Sequence, residues 1–234
     1  MIDAIFLAKP IILIPHQVPV TRTALLQYLA DVSAVRDIPT SPRGVEILEA
    51  ASDLLRQGGF EAFSMRRVAD RADMALSALQ HHFPTRADLL REVIEHRLAW
   101  YGAALSERIG SLPDEPERLF LGVIDWLLDD IRFEPTASFT VQLWAFAAYD
   151  PDARLVLDRF MTRYRVFLAK IMCALNPALD EREALTRSAA ISVMIDGSAL
   201  LLAPGKPAHP ELSDLHETIR TAALRLAKGG PSAL

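Results

Sequence analysis

One cysteine stands among the 234 residues. A single thiol closes no intramolecular disulfide, so packing must hold the fold, as suits a reducing cytoplasm. Cys173 sits among Ile171, Met172 and Leu175, a setting for core filler rather than for a nucleophile. Glycine is scarce, at 10 residues, and no Gly-rich phosphate loop appears. Nor does a nucleophile–base pair or a metal-ligand set at useful spacing, so the chain reads as no enzyme and needs no cofactor. Long apolar runs are missing near the start: Pro10–Pro15 is too short to span a bilayer. Asp3 and Lys9 cancel ahead of it, against a secretory signal, and no membrane partner is expected. A basic excess is also lacking. The net charge is −5, and between Pro42 and Glu92 seven arginines face eight acids. Any affinity for nucleic acid must come from where the charges point, not from their sum.

What the chain has in quantity is apolar residues, 51%, with 24% charged, enough for a sizeable core in a globular protein. Alanine, leucine, arginine and glutamate dominate, which favours helices. Residues 1–41 differ from the rest. Ile11–Ile14, between two prolines, suits a short strand, and Leu25, Leu29 and Val32 carry helical spacing over residues 21–37. This arm is either an appendage or a stretch ahead of the true translation start. From Ser41-Pro42, a good cap and first-turn pair, Ile47, Leu48, Ala51, Leu54 and Leu55 form one apolar face that Gly58-Gly59 ends. Ser64 caps a second short helix with Val68 and Ala69 inward. Ala72-Asp73-Met74 is the turn, Asp73 tolerating the left-handed conformation. Leu79 and Phe83 give the third helix its buried side. Thr85-Arg-Ala-Asp88 is a capping box with Asp in place of Glu and opens a long fourth helix. Helices over about 116–133, 136–149, 151–175, 180–203 and 211–228 follow, divided mainly at X-Pro steps, where the residue before proline avoids the α region.

Two short helices broken so tightly within Ser64–Leu90 suit a helix-turn-helix. The ordered set Ile47-Leu-Glu-Ala-Ala51, Leu54-Leu55, Gly59-Phe60, Ser64-Met-Arg-Arg-Val-Ala69, Ala72, Leu79, His82-Phe83-Pro84-Thr85-Arg86 and Leu89-Leu90 resembles the DNA-binding domain of TetR-family transcriptional regulators. The likeness covers about a quarter of the chain. Beyond it, only helicity, length and Ile195-Asp196-Gly197 in a late helix are similar. The resemblance implies roles. Ser64 and Arg66 would lie near the DNA backbone. Leu76, Ser77, Ala78 and Gln80 would face the major groove, Gln80 pairing with adenine and the apolar pair touching thymine methyls. His82, Thr85 and Arg86 would grip phosphates. Asp73, Ala75, Leu76 and Gln80 depart from the residues frequent in the family, Gln80 replacing a tyrosine and Ala75 a better N-cap. Adjacent histidines 81 and 82 point apart on a helix, so a shared metal is not expected.

Aromatic residues gather in Trp126, Phe133, Phe139, Trp144, Phe146, Tyr149, Phe160 and Tyr164. They read either as core or as the wall of a cavity between helices. The resemblance implies an effector pocket here, with Trp126, Phe139, Trp144 and Tyr164 near it and Asp130 and Arg163 as polar candidates. Ile191, Met194, Ile195, Leu200, Leu201 and Leu202, with Ile219, Ala223, Leu224 and Leu226, offer more apolar surface than one helix pair needs. They are either intramolecular core or a four-helix homodimer interface, which a two-fold DNA reader requires. The expectation is an all-α chain: an extension (1–41), a three-helix helix-turn-helix domain (42–90) and a larger helical effector-binding and dimerisation domain (91–234). It would bind a double-stranded, pseudo-palindromic DNA operator as a cytoplasmic homodimer and leave it, as a repressor does, when a small apolar effector binds. The rival is a helical ligand-binding or scaffolding protein without specific DNA binding.

Overall fold

The computed structural model describes residues 21–34 and 41–229. The suggested strand at Ile11–Ile14 falls outside them. The described residues form ten α-helices and no strand: α1 (Arg22–Ala34), α2 (Pro42–Ala62), α3 (Met65–Arg71), α4 (Leu76–His82), α5 (Arg86–Ser111), α6 (Pro116–Asp130), α7 (Glu134–Ala147), α8 (Pro151–Leu175), α9 (Glu181–Leu202) and α10 (Leu215–Lys228). Proline sits in the first turn of α6, α7 and α8, where its missing N–H costs nothing. The Asp150 and Asp180 side chains accept from the amides of Ala153 and Glu183, and Ser41 does the same for Gly44.

Three boundaries differ from the sequence expectation. Helix α2 does not end at Gly58-Gly59. It kinks at Gly59 (φ 63°, ψ −167°) and resumes to Ala62. A Cβ at Gly59 would stand 2.9 Å from Gln142 Oε1 of α7, so both the positive φ and the approach of that side chain require glycine. Helix α6 stops at Asp130, three residues early, and α7 starts at once with Glu134. A separate 3₁₀ turn, Pro210–Leu212, precedes α10.

Two buried apolar clusters organise the chain. The first joins Ile47, Leu48, Ala51 and Leu55 of α2 with Val68, Leu79 and Phe83, then Leu89, Leu90, Val93 and Ile94 of α5, and Leu143, Ala147, Ala153 and Val156 of α7 and α8. The second joins Leu105 and Ile109 of α5 with α6, α8, α9 and α10. Helix α5 feeds both. Helix α9 is long and apolar enough to cross a membrane by composition. Its inward face, however, buries Arg187, Ser188, Ser192 and Ser198 in contact with α8 and α10, as a core helix does. Arg187, fully buried, donates to the carbonyls of Leu226 and Gly229 and pairs with Glu183, so it clamps the end of α10.

Helix α1 belongs to the second cluster. Leu25 is 0% exposed and Leu29 is buried beside it. Arg22 donates from its backbone to Asp114 and from Nη1 to the Leu112 carbonyl at 2.7 Å. The Lys170 ammonium lies 4.9 Å from the Tyr28 ring centre. This helix is a built-in wall of the larger helical body rather than a loose appendage. Leu25→Ala is therefore expected to cost about 2–4 kcal/mol, the range for a buried leucine, read as a lower denaturant midpoint. An unchanged midpoint would show that α1 contributes nothing.

Candidate nucleic-acid interface and helical cavity

The short helices α3 and α4 stand where the sequence places them, and the turn between them has a definite cause. Asp73 adopts φ 49°, the one positive φ outside glycine among the described residues. The Arg43 guanidinium reaches across from α2 and donates to the carbonyls of Ala72 (2.8 Å) and Asp73 (3.3 Å). Sequence reasoning counted Arg43 only as a charge; nothing in the local pattern ties it to a turn 30 residues away. Arg71 binds Asp53 and Gln57 of α2 and fixes α3 from the other side. Ser64 caps α3 by accepting from the Arg67 amide, as expected. Ala75 caps α4 with no side-chain bond.

Helix α4 turns Leu79 inward, at 0% exposure. Leu76, Ser77, Ala78, Gln80, His81 and His82 all face outward. Arg66 and Arg67, at the start of α3, are exposed and bind no acid among the described residues. Most other arginines of the region are engaged: Arg43 with Glu46, Arg56 and Arg71 with Asp53, Arg91 with Asp88. Arginines thus hold Glu46, Asp53 and Asp88, whereas Arg66 and Arg67, like the exposed Asp70 and Asp73, have no ion-pair partner among the described residues.

The expected phosphate clamp at Thr85 and Arg86 takes a different form. Thr85 is spent on the capping box: its hydroxyl donates to Asp88 and accepts from the Asp88 amide. That hydrogen bond, then Arg91, holds the Asp88 carboxyl below its usual value. Arg86 Nε donates to the Phe63 carbonyl at 3.1 Å, and the guanidinium lies over the rings of Phe63 and Phe146. Arg86 ties the helix-turn-helix to α7 because a planar cation stacks well on aromatic faces. His82 remains exposed.

A cavity lies within the larger helical body, with about 60 Å³ of space for water centres. Its wall includes Arg97 and Tyr101 of α5, Thr136, Phe139 and Trp144 of α7, Phe160 and Tyr164 of α8, and Asp196 of α9. Three of the four expected residues, Phe139, Trp144 and Tyr164, come together there. Trp126 does not line it; its ring backs Tyr101 at 5.0 Å between centres. Asp130 sits just behind the wall, accepting from Thr136. Arg163 faces Tyr28, whose hydroxyl burial pushes up to about 12 despite that positive charge. Burial raises the Tyr101 and Tyr164 hydroxyls well above the usual phenol value. Burial also raises Asp130, opposed by the Thr136 hydrogen bond and the Arg97 charge. Asp196 is pushed from 3.8 to about 7 by burial alone. Sequence reasoning noted Asp196 only for its family likeness. The usable signal was its isolation, as the one charged residue between Ser188 and Leu202.

The expected partner surface needs correction. Ile191, Ile195, Ile219 and Ala223 are at most 6% exposed and pack within this chain's own core, with Met194 and Leu226 against it. They close the second cluster, and Leu202 is half-buried at the end of α9. Of the wider apolar set, Leu200 (56%) and Leu201 (48%) stay exposed on α9, and Val193 (68%) is exposed with them. Ala190 lies on the same exposed side.

Comparison with known proteins agrees with this arrangement. Residues 47–93 match the family described as bacterial regulatory proteins, tetR family. The HTH-type transcriptional repressor KstR of Mycobacterium tuberculosis is 46% identical over 48 residues, 20% of this chain and 22% of that protein. The HTH-type transcriptional regulator BetI of Burkholderia mallei is 24% identical over 157 residues, 66% of this chain and 78% of that one. A putative transcriptional regulator from Saccharomonospora viridis, solved in complex with choline, has the same fold: TM-score 0.59 at 16% identity, over 77% of this chain and 92% of that one.

The Asp196 environment makes a pH prediction. Its folded-state value lies above its unfolded one, so the folded chain holds a proton that the unfolded chain releases. The stability this confers is complete below about 4 and is lost as pH rises through about 7. Asp196→Asn is expected to flatten the melting temperature between pH 5 and 8 and to exceed the parent at pH 8. Parallel curves for the two proteins would contradict it.

Proposed function

Because the chain belongs to the TetR family of bacterial regulatory proteins, we propose that it is a transcriptional repressor. It binds a pseudo-palindromic operator as a homodimer and leaves it when a small organic molecule enters the cavity. The observation that carries the reading is the face of α4, where Leu76, Ser77, Ala78 and Gln80 are exposed around a buried Leu79, with Arg66 and Arg67 alongside. A helix lying in the major groove needs this division: one side on its own core, the other a short row of groups that reach base edges. Gln80 offers a paired donor and acceptor to adenine, and Leu76 and Ala78 offer methyl contacts to thymine. Ser64 and His82 flank the row for phosphate contact.

The dimer is proposed to form through the exposed side of α9. Val193, Leu200 and Leu201 make an apolar strip, and Gly197 has open space where a Cβ would stand, so a second helix can approach closely. Two reading heads would then meet half-sites about 34–36 Å apart. The cavity supports an effector because its wall is mainly aromatic and apolar with few polar groups, as small-molecule sites are. That a protein with this fold was solved in complex with choline supports a small-molecule ligand.

Two measurements test the proposal. Genomic fragments retained by the purified protein are expected to share an inverted repeat. On that repeat, Arg66→Ala and Arg67→Ala are each expected to reduce the slope of log K against log salt by about 1. Folded dimer that enriches no sequence, with or without cellular small molecules, overturns operator binding and leaves a helical ligand-binding protein. Val193→Asp with Leu200→Arg is expected to give monomers in sedimentation and at least a tenfold weaker operator complex. A variant that stays dimeric places the interface elsewhere.

A further inference from the structure

The cavity carries a charge pattern that an ordinary apolar ligand leaves unanswered. Two carboxylates and one guanidinium stand at or just behind its wall. Arg97 and Asp130 act on one another across it, each shifting the other toward its charged form. Arg97 is further held over the rings of Trp100, at 4.6 Å, and Phe139, at 6.0 Å. Asp196 has nothing comparable. Among the described residues no side chain donates to it and no cation offsets it. The pocket is left with one uncompensated acid. A buried carboxylate is costly without a partner, and it neutralises by taking a proton or a cation.

The walls around that acid are rings. Tyr101 meets Phe160 at 6.3 Å and 81°, Phe160 stacks on Tyr164 at 6.3 Å, and Trp126 backs Tyr101. Ring faces carry negative potential and attract cations that have given up their water, quaternary ammonium groups above all. One polar atom in the same place has no partner, the Tyr164 hydroxyl, while Asp130 is hydrogen-bonded by Thr136 and Tyr101. From this geometry we infer that the cavity selects an organic monocation, an alkylated ammonium set against Asp196 with its carbon substituents on Tyr101, Phe160 and Tyr164. This rests on the cavity being the effector site and narrows the effector from a generally apolar molecule to a positively charged one. An anion would have only Arg97 to meet, and Arg97 is already engaged by Asp130 and two rings.

The titratable groups facing Asp196 are Tyr101 of α5 and Tyr164 of α8, while Arg97 and Asp130 act on one another. Both tyrosines are driven toward their neutral forms, and burial raises the carboxyls of Asp130 and Asp196, the latter to about 7. A proton and the organic cation therefore compete for one carboxylate, and cation binding strengthens as pH rises.

Matched pairs test the inference on the intact protein. Choline and phenyltrimethylammonium are compared with their carbon isosteres, 3,3-dimethylbutan-1-ol and tert-butylbenzene, and with benzoate as the anion. Binding is read by calorimetry and by fluorescence of Trp144, which lines the cavity. At least one cation is expected to bind tenfold or more tightly than its isostere. That binding should gain severalfold from pH 6 to 8 and fall at least tenfold in Asp196→Asn, while the variant keeps its fold and its operator affinity. Leu157→Trp, which fills the cavity from another wall, should abolish it. Neutral or anionic probes that bind, are blocked by Leu157→Trp and ignore Asp196→Asn overturn the cation but leave the effector site standing. If no probe of any charge binds, and no small-molecule extract releases the operator, both readings fall. If extract releases the operator and the active component carries no positive charge, the cation alone falls.

Discussion

Helix α5 is packed into both hydrophobic clusters at once, and the rest of the structure depends on that constraint. Its first half buries Leu89, Leu90, Val93 and Ile94 against α2, α3 and α4; its second half buries Leu105 and Ile109 against the larger body. A close-packed interior does not stretch, so a shift of either cluster must move α5 as a rod. The link is reinforced at the side. Leu143 and Ala147 of α7 complete the first cluster, Gln142 fills the space beside Gly59, and the Arg86 guanidinium is held over Phe63 and Phe146. The orientation of α4 is thus set by contacts that reach into the helical body.

Charge placement follows the same economy. A net charge of −5 would repel a polyanion if the charges were spread evenly. Instead Glu46, Asp53 and Asp88 are each held by an arginine of the same small domain, and those pairs serve the turn and the helix starts. Arg66 and Arg67 are left free at the edge of α4. Exposed pairs of this kind add little stability. Their effect here is to engage three of the domain's acids, though not the exposed Asp70 and Asp73.

The legible parts of the fold were those governed by neighbours in sequence. Proline steps, the Ser41, Ser64 and Thr85 caps, the left-handed Asp73 and the buried Leu79 all follow from rules that span a few residues. What escaped was set by partners far along the chain. Arg43 acts on a turn 30 residues away, and Arg86 is held by the Phe63 carbonyl between α2 and α3 and by a ring of α7. Arg86 satisfies the same sequence pattern whether it points to phosphate or to Phe63. Periodicity likewise could not separate core from interface on α9 and α10. Both faces of α9 are apolar, and only packing on α8 shows that Ile191 and Ile195 look inward while Val193 and Leu200 look out. The aromatic set presented the same ambiguity, and Trp126 went to support while Tyr101, outside that set, took the wall.

On the proposed reading, the place of Asp196 would let a ligand act on the helices that face DNA. A ligand shifts a conformational balance only by binding one state better than the other. The groups that would hold a cation are divided between helices: Asp196 on α9, within the body, and Tyr101 and Arg97 on α5, the rod shared with the DNA-facing domain. A cation that satisfies Asp196 while resting on Tyr101 gains most when those two helices stand at one separation, and it loses contacts at any other. The empty pocket has no such preference beyond the cost of its unpaired acid. Placing that acid opposite α5, rather than among residues of a single helix, makes occupancy of the cavity and position of the rod one variable.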